Sequence, residues 1–292
     1  MVRDKFLEEG AFSVYHSITF GDKNTWDDWH LVPSSRPVFN PPAQKVKTLD
    51  IPGGNGLIDL SQALTGYPVY HNRTGSFEFL VMNGYQPWNI LYSDIMDYLH
   101  GRTMTAVLED DPEYYYNGRF TVNSWKSEKN WSKIVIDYSV DPYKWSKLSS
   151  VNWAENQFGL QNRSRVYDAL YDNAWSQILD SAGNIIQTFQ HIGGTAFKNI
   201  SATTFRKRIE FDASFLGRAP VCPKFIVAST AGQGMNVHFV NPALGINLIK
   251  IIPEGSTIIP DFIFYGETGA MLELWCDSGT ANVSIEFRNG RL

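Results

Sequence analysis

The chain has 292 residues, a formal net charge of −5, 19% charged residues and 14% aromatic residues. That length fits about two domains, each able to bury a core without staples, and the acidic balance argues against a surface that coats a nucleic-acid backbone with counter-charge. Two cysteines, Cys222 and Cys276, are too few for a disulfide framework and read as small buried apolar side chains.

No run approaches the ~20 apolar residues that span a bilayer, so no membrane insertion is expected. The start carries Asp4, Glu8 and Glu9, which does not read as a secretory leader. Soluble domains carry about 25% charged residues, so the shortfall in charge together with the aromatic excess fits either an aromatic-rich β core or a large permanent interface.

Residues 14–20 alternate as a strand, with Val14, His16, Ile18 and Phe20 on one side and a turn at 21–24. In Trp26-Asp27-Asp28-Trp29-His30 the adjacent carboxylates would point in different directions, whereas acid–base catalysis needs two that converge. The stretch reads instead as a loop in which two indoles meet a neighbouring surface. Residues 33–42 hold four prolines, cannot pair in a central strand, and read as an extended arm. An arm and two tryptophans need cover, and an adjacent subunit can supply it, so Trp26, Trp29, Pro33 and Pro37 are candidate inter-subunit contacts.

Gly53-Gly54-Asn55-Gly56 lacks the Lys-Ser or Lys-Thr of a phosphate loop and reads as a mobile turn. Residues 65–68 are another turn, and 75–82 a strand with Phe77, Phe79 and Val81 facing one way. Trp88, Leu91, Ile95 and Leu99 then share one face of a helix, with Pro87 at its start and Gly101 past its end. Strands at 104–108, 114–116, 119–125 and 134–140 follow, divided by Asp110-Asp111-Pro112 and by a tight turn at Asn117-Gly118. One helix laid over hairpin strands is an α+β unit.

Residues 145–202 are less regular; Tyr167, Leu170, Ala174 and Ile178 share a face of a helix over 164–180. From Arg206 onward short strands recur near 209–215, 225–228, 235–240, 248–252, 258–265, 272–276 and 283–287, between turns, which is the pattern of an antiparallel sandwich.

Seven short fragments carry a family resemblance. Asp50-Ile51-Pro52-Gly53, Ile58-Asp59-Leu60-Ser61, Ala63-Leu64-Thr65-Gly66 and Asn72-Arg73-Thr74-Gly75 come first, followed by Leu99-His100-Gly101-Arg102 with 110–119, and then by Val140-Asp141-Pro142-Tyr143-Lys144. Together they resemble the N-terminal domain of the distal tail protein of long-tailed, non-contractile bacteriophages and related prophages.

The resemblance implies a ring-forming domain at 1–145, a connector or insertion at 146–202, and a galectin-like β-sandwich at 203–292. It implies a homo-hexamer in the virion tail tip, assembled in the host cytoplasm. The ring would join the tail tube protein to the tail-associated or fibre protein and to the receptor-binding protein, with DNA passing through without specific binding. A galectin-type sugar site needs a tryptophan face and a His, Asn and Arg cluster. His238 and Asn241 lie near each other, but Ala243 stands where an arginine would be wanted, so sugar binding is not expected there.

No metal-ligand spacing joins the six histidines, and no nucleophile turn or His-Glu-x-x-His helix occurs. The expectation is a non-enzymatic structural protein without a cofactor. The alternative is a carbohydrate-binding module that attaches a phage or a cell-wall enzyme to host glycan; it would be monomeric where a ring component is not.

Overall fold

A computed structural model describes residues 15–82, 87–127, 131–150, 177–179, 185–188, 190–193, 196–201, 207–211, 216–229, 232–265 and 269–292. The chain divides into two compact units, one of residues 1–61, 68–145 and 292, the other of residues 62–67 and 146–291.

The first unit contains β1 (Ile18–Phe20), β2 (Lys23–Asn24), β3 (Leu31–Pro33), β4 (Thr48–Asp50), β5 (Leu57–Asp59), β6 (Arg73–Val81), α1 (Trp88–Leu99), β7 (Thr103–Leu108), β8 (Tyr114–Ser127) and β9 (Ser132–Val140). Seven of the strands run in the order β2-β1-β7-β8-β9-β6-β3, with antiparallel neighbours throughout. Strands β4 and β5 form a separate two-stranded ribbon.

Alternation sorts the large sheet into two faces. Phe77, Phe79 and Val81 of β6, Ile134, Ile136, Tyr138 and Val140 of β9, and Phe120 and Val122 of β8 are buried together, while Thr74, Ser76 and Leu80 are exposed on the other side. Helix α1 covers part of the apolar face with Leu91, Ile95 and Leu99, all buried. The helix begins after Pro87 and ends where Gly101 takes φ +73°, a value that glycine tolerates without strain.

Two expectations fail here for identifiable reasons. Asn117-Gly118 is not a turn: β8 runs through it unbroken for 14 residues. Gly118 pairs with Met104 on one side and Val140 on the other, and a Cβ on it would collide with the Ser139 carbonyl oxygen and the Val140 Cα. The glycine permits a close backbone approach rather than a reversal. The strand expected over 14–20 is only Ile18–Phe20 within the described residues, because His16 adopts φ +46° and the extended run cannot pass through it; Val14 lies outside the described residues.

The second unit follows β10 (Lys144–Ser146), which spans the boundary. Its remaining strands are β11 (Gln177–Leu179), β12 (Ile185–Thr188), β13 (Gln190–Gly193), β14 (Ala196–Ser201), β15 (Lys207–Phe211), β16 (Lys224–Ser229), β17 (Met235–Asn241), β18 (Ile246–Ile252), β19 (Gly255–Ile258), β20 (Ala270–Trp275), β21 (Thr280–Glu286) and β22 (Gly290–Arg291). Sheets ordered β13-β14-β21-β16-β19 and β15-β20-β17-β18 share one core, with Phe225, Val227, Val283 and Ile285 from the first and Val237, Phe239, Leu272 and Leu274 from the second. This is an antiparallel sandwich, so the chain is mainly β.

The strand expected over 258–265 ends at Ile258. Phe262 instead touches Phe225 of one sheet at 5.9 Å and Phe239 of the other at 4.9 Å between ring centroids. Beyond Ile258 the segment pairs by a single bridge, Phe264 with Val221, which is too short to make a strand. The helix expected over 164–180 lies outside the described residues except at its end, where Gln177–Leu179 is a strand paired with β12.

Ile95 has no exposed surface, so Ile95→Ala should lower the unfolding free energy by about 2–5 kcal/mol. Chemical denaturation checks this, and an unchanged midpoint would mean that the helix face is not core. Gly118→Ala should cost about 1–3 kcal/mol by forcing β8 away from β9. Wild-type thermal stability of that variant would show the strand approach to be loose.

Candidate assembly surface

The turn after β2 is built by side chains that cap their own backbone. Asp28 accepts from the Asn24 backbone N–H at 2.8 Å and from Lys23 Nζ at 2.9 Å, and Asn24 Oδ1 accepts from the Trp26 N–H at 2.8 Å. Asp28 therefore serves as a turn-fixing acceptor, turned to the backbone before it. Trp29 is buried with its ring edge-on to Tyr98. Trp26 is half-buried, stacked on Tyr15 at 3.6 Å between centroids.

The proline segment lies along its own sheet. Pro33 pairs with Phe79 at the β3 edge, where a missing N–H costs nothing, and Pro37 is buried. The Ser34 N–H donates to the Glu78 carbonyl at 2.8 Å. Phe39 packs against Tyr116, Tyr138 and Phe77 at 4.0, 4.8 and 5.0 Å. At the far end the Asn40 N–H donates to the Tyr138 hydroxyl at 2.9 Å, and Arg73, itself buried, donates to the carbonyls of Asn40 and Pro142.

One carboxylate gathers the middle of this segment. Asp110 accepts from Arg36 Nε at 2.7 Å and contacts His16 Nδ1 at 2.9 Å, tying the chain before β1, the arm and the turn after β7. Burial alone would raise the Asp110 carboxyl, but hydrogen bonds from Arg36 and His16, with their charges, outweigh it and hold the group below the usual carboxylate range.

The ribbon of β4 and β5 has no such support. Every residue from 43 to 60 is exposed, including Val46 at 65%, Leu49 at 50%, Leu57 at 63% and Ile58 at 45%. It is paired in register from Thr48↔Asp59 to Asp50↔Leu57 and tied at its base by the His71 N–H to the Ala43 carbonyl at 2.8 Å. An isolated two-stranded hairpin is marginally stable in water. One with aliphatics exposed on both strands is a surface in want of a partner. From sequence alone only the turn at 53–56 is expected, with no strands beside it; the apolar residues flanking that glycine-rich turn are the signal that points to a hairpin.

A second apolar surface joins α1 to the end of β8. Trp125, 46% exposed, lies 4.7 Å from Tyr92 and 5.1 Å from Trp88 between ring centroids. The Trp88 indole N–H is buried and has no acceptor among the described residues. Sequence periodicity placed Trp88 on the covered helix face but gave no sign of the Trp125 contact, which depends on strand register.

In the second unit the sugar-site candidates are occupied by internal bonds. His238 Nδ1 contacts Glu273 at 2.8 Å and Nε2 contacts Asn247 Oδ1 at 2.7 Å. Asn241 is fully buried, donating to the Ile263 carbonyl at 2.9 Å and accepting from the Ala243 N–H at 3.1 Å to cap the turn at Pro242–Leu244. Cys276 is buried, its thiol raised by burial, and Cys222 is partly buried. Among the described residues no three His, Cys, Asp or Glu side chains gather as a metal site.

Because the folded carboxyl of Asp110 is depressed, the tie contributes stability above the unfolded value of about 3.9 and loses it as pH falls through the folded value. Asp110→Asn should therefore flatten the acid limb of the stability profile below about pH 4 and make residues 34–40 easier to cleave. Parallel acid limbs in the two proteins would show that the tie contributes nothing.

No family model matches the chain, and no curated protein does. Among solved structures, the crystal structure of the Dit protein of SPP1, described as a paradigm of the hub adsorption apparatus in phages infecting Gram-positive bacteria, matches over 93% of this chain and 98% of its own. The TM-score is 0.50 and the identity 10%. At that identity the likeness speaks for architecture: this chain has the fold of a Dit hub protein.

Proposed function

We propose that this chain is a structural hub of a bacteriophage tail tip, acting by self-assembly rather than by catalysis. The observation that carries the reading is the likeness to SPP1 Dit, which extends over nearly the full length of both chains rather than over one domain. The exposed ribbon supports it, since aliphatic surface on a two-stranded hairpin needs cover and a second copy of the chain is the partner always present at equal concentration.

In this reading residues 1–145 close into a hexameric ring around the DNA conduit. The tail tube protein meets one face of the ring and the tail-associated or fibre protein the other. Residues 146–292 lie outward and carry the receptor-binding protein. DNA passes without specific binding, and the protein resides at the virion tail tip after assembly in the host cytoplasm. Of the four contacts expected from sequence, Trp29 and Pro37 are buried within their own unit, so Trp26 and Pro33 are the two with side-chain area left to offer a neighbour.

The test is the solution mass of the full chain by multi-angle light scattering. The expected mass is that of six chains. A single-chain mass across a hundredfold range of concentration overturns the reading.

A further inference from the structure

On the outer face of the second unit one histidine joins three strands. In β17 the side chains of Met235, Val237, Phe239 and Asn241 are buried, so alternation turns Asn236, His238 and Val240 away from the core. His238 stands between Glu273 of β20 and Ile249 of β18 in the register. Its Nδ1 lies 2.8 Å from a Glu273 carboxylate oxygen, and its Nε2 lies 2.7 Å from Oδ1 of Asn247 on β18. The ring thus clasps β20 to β18 across β17, the strand between them.

Both partner atoms are oxygen acceptors, and an imidazole donates from both nitrogens only when it carries two protons. We propose that His238 is a pH-sensitive clasp, which fastens β18 to the sheet while the ring is doubly protonated and loosens it when one proton leaves to solvent. With a single proton the ring keeps Nδ1–H toward the carboxylate. The bare Nε2 then faces the Asn247 oxygen, lone pair against lone pair, so the contact that fails is the one that reaches β18.

The surroundings of the ring fit this role. Among the described side chains Glu273 supplies the charge that faces it, and both groups are largely withdrawn from water, with 18% of the His238 side chain and 14% of the Glu273 side chain exposed. Strand β18 presents Asn247 and Ile249 on this face, while Lys250 stands opposite Val237 on the other face and is paired with Asp261. Arg208 of β15 stands opposite Glu273 in the register, on the side away from His238.

Loosening would be felt at an edge. Strand β18 ends its sheet, and Ile249 and Ile251 are 57% and 63% exposed. An edge strand with exposed aliphatic side chains is a template for foreign strands, so the clasp governs how firmly this edge is held in its own register.

Hydrogen exchange of the full-length chain, read by mass spectrometry and corrected for intrinsic rates, tests this. From about pH 5.5 to about pH 8, protection of residues 246–252 should fall roughly fivefold relative to residues 280–286 of the other sheet, the scale of one partly screened ion pair. His238→Gln should abolish the fall. Asn247→Asp, at an exposed position, sets a second carboxylate against the ring and should move the fall to higher pH. That variant keeps the test open should His238→Gln lose its far-UV circular dichroism.

The proposal is overturned if the unsubstituted chain shows no fall, as when Asn247 turns its amide to offer Nδ2–H to the neutral ring. It is equally overturned if the fall persists in folded His238→Gln, or if Asn247→Asp leaves the midpoint of the fall in place.

Discussion

A sheet with one apolar face must have that face covered, and in the first unit no single element is large enough to do it. Helix α1 is 12 residues long and shields only part of the surface made by β6, β8 and β9. Phe39 of the proline arm and Trp29 of the turn after β2 join the same buried cluster. Three separate pieces of chain, each weak as an independent structure, acquire their order from the same face. The polar ties follow from this arrangement: Asp110, Arg73 and Tyr138 fix backbone that has no ladder of its own to join.

The covered and uncovered parts of the unit differ in how far the sequence could describe them. The helix was legible because Leu91, Ile95 and Leu99 repeat with the period of the structure they form, and β6 and β9 because their alternation is unbroken. Asn117-Gly118 was misread because the same dipeptide serves a tight turn and a close strand crossing, and only the distance to Ser139 and Val140 decides between them. The proline arm was legible as unpaired chain, but its surface was not, since nothing local in residues 34–40 specifies Tyr138 or Thr74 as partners.

The candidate surfaces were legible in the same uneven way. His238 and Asn241 drew attention by nearness in sequence, yet they sit on one strand with different tasks, one bridging strands on the outer face and the other capping a turn inside. The ribbon lay within the fragments that carried the family resemblance, but a glycine-rich turn does not announce that both flanking strands will stand uncovered. Trp125 meets Trp88 and Tyr92 only after β8 passes its irregular step between Val122 and Ser124. Such a bulge re-aims side chains in ways that strict alternation cannot foresee.

The nine consecutive pairs between β6 and β9 also fix how the unit bears force. A pull applied at the ribbon end and resisted at the Trp125 end runs parallel to the strands and crosswise to their hydrogen bonds. The bonds of the ladder are then strained simultaneously, in shear, so none can yield until many do. A pull perpendicular to the strands would open the same ladder like a zipper, one pair at a time. The sheet is therefore stiff along one axis and compliant across it, and a load transmitted from end to end travels along the stiff one.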